Sequence, residues 1–249
     1  MPERTGLLQV TGRLDGVVLI LDLGADPLAA LLPPGLELLP QGVVAAGRHP
    51  LVLLFGQQSQ VGPGLLPFGL NYLEFVLALP FVRPRDGPQG PFCHLPVLLL
   101  DRRLPTVLGR WLYGFAKRRA ACRRSEDSFV IARLEDGAAL LSARFAATGA
   151  MGRAGELEDV QNLRCLFEQP LISQGRDGRW RYARFDFALA RAALQPVAAE
   201  VVFHRAIVPG LPLGPDPIRA PGPGASTAFR VAASWTLTHA GPDDARGQP

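Results

Sequence analysis

Gly109-Arg110-Trp111-Leu112-Tyr113-Gly114-Phe115-Ala116-Lys117-Arg118 contains the only lysine of the chain. Lys and Arg together number 26, so every other basic side chain is arginine. Arginine serves solubility, ion pairing and phosphate contact, but it stays protonated, with a pKa above about 12. Lysine can become a neutral amine when its site is dry or already cationic. A lone lysine therefore points to amine chemistry, against the alternative that one lysine survives in an Arg-rich composition. Thr106 to Arg119 has helical spacing, with Leu108, Leu112 and Phe115 on one stripe. On a continuous helix Lys117 would share the opposite, solvent-facing side with Arg110 and Tyr113. Gly114 offers another path, because a helix that stops at a glycine can turn the lysine inward.

Working outward, the chain reads as strands and turns. Val17 to Leu21 is β-branched-rich and strand-length. Asp26-Pro27 opens a short helix through Leu32, with Asp26 as N-cap, and Pro33-Pro34-Gly35 stops it. Leu51 to Phe55, Tyr72 to Val82 and His94 to Leu100 are strands, and Pro80 places the second at an edge or near its end. Phe129 to Leu134 and Ala138 to Phe145 flank Asp136-Gly137, a hairpin turn. Leu163 to Ile172 and Arg179 to Phe187 make a second hairpin. Val201 to Ile207 and Phe229 to Thr238 are strands, joined by a Pro/Gly-rich loop over 208–224. The fold class is mainly antiparallel β with a few short helices, α+β in type. One domain is expected over 1–240, followed by a flexible tail over 241–249.

Composition excludes several functions. Net charge is +4 and the pI of 9.4 follows from Arg replacing Lys, so no nucleic-acid partner is expected despite the Arg179-to-Phe185 alternation of cations and aromatics. The apolar runs are strand-length, so no membrane partner is expected either. Cys93, Cys122 and Cys165 are far apart and odd in number, which argues against a disulfide framework and for a reducing, cytoplasmic location. The four histidines are isolated and no ligand spacing occurs, so no metal site is expected. No dinucleotide, phosphate-loop or nucleophile-elbow motif is present.

The segment around Lys117 resembles the signature of the acetoacetate decarboxylase-like family, a Gly-Arg pair and short helix followed by Gly-Phe and Pro-Lys-Lys. Lys117 matches the imine-forming lysine, Arg118 its cationic neighbour and Phe115 the aromatic residue before it. Asn71-Tyr72-Leu73-Glu74 resembles the strand whose glutamate faces that lysine. Asp26-Pro27-Leu28, Leu36-Glu37 and Phe229 to Thr238 extend the likeness, and Arg13 lies near the family's carboxylate-binding arginine. The chain departs in having Ala116 for the proline, Arg118 for the second lysine, and no second glutamate between Leu54 and Gln58.

The resemblance implies a closed, cone-like β-barrel, a homo-oligomer and no external cofactor. It implies a Schiff-base lyase acting on a keto acid, by decarboxylation first and aldol-type condensation or dehydration second. The alternative is a barrel that binds small molecules without catalysis. Lys117, Glu74 and Arg118 are the candidate catalytic residues. Arg13, Phe115, Trp111, Phe75 and Tyr113 are candidate substrate contacts. The chemistry gives these types a reason to meet. At pH 7 a free lysine is only about 0.04% neutral amine, and lowering its pKa by roughly 4 units costs on the order of 5 kcal/mol. Dry aromatic walls (Trp111, Phe115, Phe75) and the Arg118 charge would both push that way.

Overall fold

A computed structural model describes residues 9–63, 69–154, 160–175, 177–222 and 225–240. In chain order come β1 (Val10–Gly24), α1 (Ala25–Ala29), β2 (Leu36–Leu38), β3 (Arg48–Pro63), β4 (Leu70–Pro84) and β5 (Phe92–Leu100). There follow α2 (Arg103–Leu112), β6 (Lys117–Arg119), β7 (Ala121–Arg124), β8 (Ser128–Ala132), β9 (Ala139–Ala147) and β10 (Gly152–Arg153). The last elements are α3 (Val160–Phe167), β11 (Leu171–Gln174), β12 (Trp180–Phe187), β13 (Ala193–Phe203), β14 (Ile218–Ala220) and β15 (Ala225–Ala240).

Seven strands close on themselves in the order β1-β3-β4-β5-β11-β12-β15, with β15 returning to β1. Closure leaves the barrel without free edges. Its pairs are antiparallel except β5 with β11; the short β6 also lies parallel to β5. β15 makes the branch point. One long edge follows β1, while the other is shared between β12 at Trp235–Ala240 and β13 at Phe229–Ala232. From β13 the chain builds a second sheet through β9, β8 and β7.

Strand alternation sorts the core into two sets. Leu14, Val18 and Ile20 of β1, Leu54 of β3, and Leu98 and Leu100 of β5 belong to a cluster inside the barrel. Val17, Leu19 and Leu21, with Phe55 and Phe75, belong to another, where the outer face meets the second sheet. Phe55 anchors that layer, with ring contacts to Phe75, Phe129 and Phe145 at 5.1, 5.8 and 5.5 Å.

Several expectations are corrected. Of the two places expected for Pro80, the edge is ruled out because β4 is central; Pro80 lies late in the strand, where the β4–β5 register shifts between Leu79 and Val82 and no ladder N–H is required. α1 has Gly24 at its N-cap with no side-chain cap, so Asp26 sits in the first turn instead. Leu163 to Phe167 is the end of helix α3, and the hairpin partner of β12 is only Leu171–Gln174. The proline-rich loop carries β14. The expected 241–249 tail lies outside the described residues.

Candidate active site

The helix that begins at Arg103 stops at Leu112, well short of Arg119. Tyr113 is its C-cap, donating its N–H to the Gly109 carbonyl at 3.2 Å, and Gly114 follows with φ +72°. That left-handed conformation suits glycine, and a side chain there would press on the Gln174 carbonyl. The chain thus reverses, and Lys117 to Arg119 become a strand beside β5. Strand alternation then decides the lysine's direction. Lys117 pairs with Leu98, whose face is inward, and lines a cavity of about 460 Å³ inside the barrel. Arg118 is exposed on the other face of β6.

The lysine stem packs on α2 at Gly109. A Cβ built on Gly109 would stand 2.5 Å from Lys117 Cδ and 2.7 Å from Cε. The ammonium end lies 5.8 Å from the centroid of the Tyr72 ring and 6.0 Å from that of Phe115. Burial holds the Lys117 pKa below its ordinary value of 10.5, while the nearby Glu74 carboxylate opposes the drop. The same burial raises Glu74, with Lys117 and the Gln58 hydrogen bond pulling it back down. In each case burial disfavours the charged form, and the partner's charge opposes it.

Glu74 comes from β4, on the inward row with Tyr72, Val76 and Ala78. Its setting is a hydrogen-bonded file. Trp235 Nε1 donates to Gln58 Oε1 at 2.7 Å, and Gln58 Nε2 donates to Glu74 Oε1 at 2.6 Å. The indole N–H can only donate, so it fixes which end of the Gln58 amide faces Glu74. Burial and the Glu74 charge both raise Tyr72, which stays a phenol.

The structure brings together Lys117, Glu74, Phe115 and Tyr113, all of which line the cavity. It leaves four other candidates outside. Arg13 is exposed on the outside of β1, with Thr11 and Asp186 in a separate shallow cleft. Trp111 is 70% exposed on α2. Phe75 is on the outer face against Phe55, as its place next to Glu74 on a strand requires. Arg118 is excluded by the same alternation, and desolvation rather than a neighbouring cation lowers Lys117. Sequence reasoning missed Gln58, Tyr72 and Trp235. Tyr72 was legible from i, i+2 spacing to Glu74; Gln58 and Trp235 meet only through strand pairing.

Among the described residues no histidine lines the cavity. Among the described residues no group of three or more His, Cys, Asp or Glu is placed to hold a metal ion, and no helix is long and apolar enough to cross a membrane.

The barrel with an inward lysine on a short strand is the acetoacetate decarboxylase-like fold, and comparison with solved structures shows that fold. The enduracididine biosynthesis enzyme MppR, in its complex with pyruvate, superposes with a TM-score of 0.62 at 15% identity, covering 94% of this chain and 89% of that one. Acetoacetate decarboxylase from Legionella pneumophila gives 0.62 at 18% identity, covering 92% and 85%. An acetoacetate decarboxylase-like enzyme from Sphingomonas wittichii RW1 gives 0.57 at 14%, covering 93% and 92%. No protein-family model matches the chain, and no curated protein matches it.

Proposed function

We propose that this chain is a Schiff-base-forming lyase in which the Lys117 amine condenses with a substrate carbonyl. The observation that carries the reading is a single lysine set into the cavity, its pKa lowered by desolvation, with one buried carboxylate lining the same cavity. The neutral amine attacks the carbonyl carbon, and the carbinolamine loses water to give an imine. Its protonated nitrogen is an electron sink. With a β-keto acid, the carbon–carbon bond to the carboxylate breaks and its electron pair moves into the iminium, leaving CO2 and an enamine. Glu74 as the acid then delivers a proton to carbon. Hydrolysis releases the ketone and regenerates the amine. Decarboxylation is the first choice. With an enolisable carbonyl, ionised Glu74 could instead remove an α-proton for aldol-type condensation or dehydration. The homo-oligomer implied by the resemblance belongs to the same proposal, as does a cytoplasmic location.

The test is reductive trapping. Incubation with a carbonyl substrate and borohydride should leave a stable secondary amine that peptide mass spectrometry places at Lys117, with the N-terminal amine as the internal control. No side-chain adduct with any keto acid, ketone or aldehyde would leave a non-catalytic binding barrel.

Gly109→Ala is expected to slow that trapping about 10²-fold, the usual cost of displacing a reacting group by about 1 Å. The added methyl overlaps the lysine stem. Helix propensity alone would favour the alanine by about 0.8–1 kcal/mol. A variant that melts at or above the parent temperature yet traps slowly would separate positioning from folding. Unchanged trapping would mean that Lys117 does not need this packing.

A further inference from the structure

Beyond the imine itself, the cavity has a shape and a chemistry that select what can reach the amine. Its roughly 460 Å³ falls in the range of pockets that bury drug-sized ligands. It runs along β4 past Glu74 to Ala78, four residues or about 13 Å at ~3.3 Å per residue. Ala78 faces Val52 across the β3–β4 pair, and Cys93, Leu95 and Leu171 complete that inner end. Burial pushes the Cys93 thiol up to about 12, so it remains a thiol and acts as a small apolar wall. Phe167, Phe187 and Phe185 form one side as a chain of ring contacts that ends on Trp235.

Two amides of this lining, Gln58 and Gln169, are committed to the protein. Gln58 is held at both ends of its amide by Trp235 and Glu74. Gln169 accepts from the Phe81 N–H at 2.7 Å and donates to the Cys165 carbonyl at 2.8 Å. Among the described residues the only charged groups of the lining are Lys117 and Glu74, and no arginine is present. A polar or anionic body lying against Val76 and Ala78, past Glu74 and the Tyr72 hydroxyl, would lose its hydration among apolar neighbours, which costs several kcal/mol.

We propose that the substrate carries a hydrocarbon tail that lies along β4 toward Ala78, Val52 and Cys93 while its carbonyl meets Lys117. The chain would therefore favour carbonyl substrates, β-keto acids included, that carry a tail of medium length over three- or four-carbon keto acids. This rests on the imine reading of Lys117, and the experiment separates the two.

Methyl ketones from acetone to methyl nonyl ketone are titrated against the protein with borohydride, beside pyruvate and acetoacetate. In parallel, unreacted ketone binding is followed by thermal shift in wild type and in Lys117→Ala. The half-saturating concentration for trapping should fall about fourfold per added methylene, equivalent to about 0.8 kcal/mol each, until the inner end is reached. In Ala78→Phe the preference for methyl heptyl ketone over acetone should fall at least tenfold. Should that variant not fold, the wild-type series still decides. Trapping that is flat with chain length, or strongest with pyruvate or acetoacetate, overturns the tail and leaves the imine. Length-dependent thermal stabilisation without any adduct supports the tail and sinks the imine. No adduct and no length-dependent stabilisation sinks both.

Discussion

Lys117→Arg is expected to abolish the borohydride-trapped adduct and to lower turnover by at least about 10⁴-fold, the scale on which losing a covalent nucleophile is felt. Arginine keeps the positive charge but cannot supply a neutral amine near neutral pH. Lys117→Met separates chemistry from packing, since it keeps an unbranched chain on Gly109 and removes the nitrogen. It should be as inactive as the arginine variant, yet more stable than wild type at neutral pH. The sign follows from linkage. Burial puts the Lys117 pKa below 10.5, so between that lowered value and 10.5 the unfolded chain binds more protons than the folded one. Wild-type stability therefore rises with pH across that window, and the full cost of the buried ammonium is felt below it. Methionine removes that cost, so its advantage is largest at low pH and shrinks as pH approaches 10.5. Denaturant titrations at several pH values read this directly. Substantial turnover in either variant would end the proposal that Lys117 is the nucleophile.

Glu74→Gln should move two readouts in different ways. Turnover should drop about 10²- to 10⁴-fold through loss of the proton donor. The pH at which trapping becomes half-maximal should move lower, because the Glu74 charge is what holds the lysine pKa up against desolvation. Loss of that charge makes the amine easier to free of its proton, and adduct formation at low pH becomes relatively more efficient. A profile that moves to higher pH would mean that the carboxylate does not act on the amine as its field requires. Trapping measured against pH, with turnover beside it, keeps the two effects apart.

Much of the β content was legible because alternating and β-branched runs mark strands wherever they pack. Val17 to Leu21, Leu51 to Phe55 and His94 to Leu100 all lie within barrel strands. The helix–strand boundary at Gly114 was the decisive ambiguity. Apolar spacing continues past it to Phe115, and only the glycine's left-handed φ shows that the helix has stopped. Leu163 to Phe167 carries a strand-like pattern although it is helical, because short apolar runs look alike in helix and strand. Within the site, Lys117 and Glu74 could be picked out because each is charged in apolar company. Arg118 and Phe75 were drawn in by adjacency in sequence, yet neighbours on a strand face opposite ways. Trp235 and Gln58, 177 residues apart, are brought together by barrel closure, which no local pattern carries.

The hydrogen-bonded file behind Glu74 has a stereochemical consequence. One carboxyl oxygen accepts from Gln58, so in the proposed reaction the other would be left to exchange protons with the intermediate. An enamine is flat and presents two faces, but this oxygen approaches from the β4 wall alone. A prochiral carbon protonated there would receive hydrogen on a single side, and the product would leave as one enantiomer.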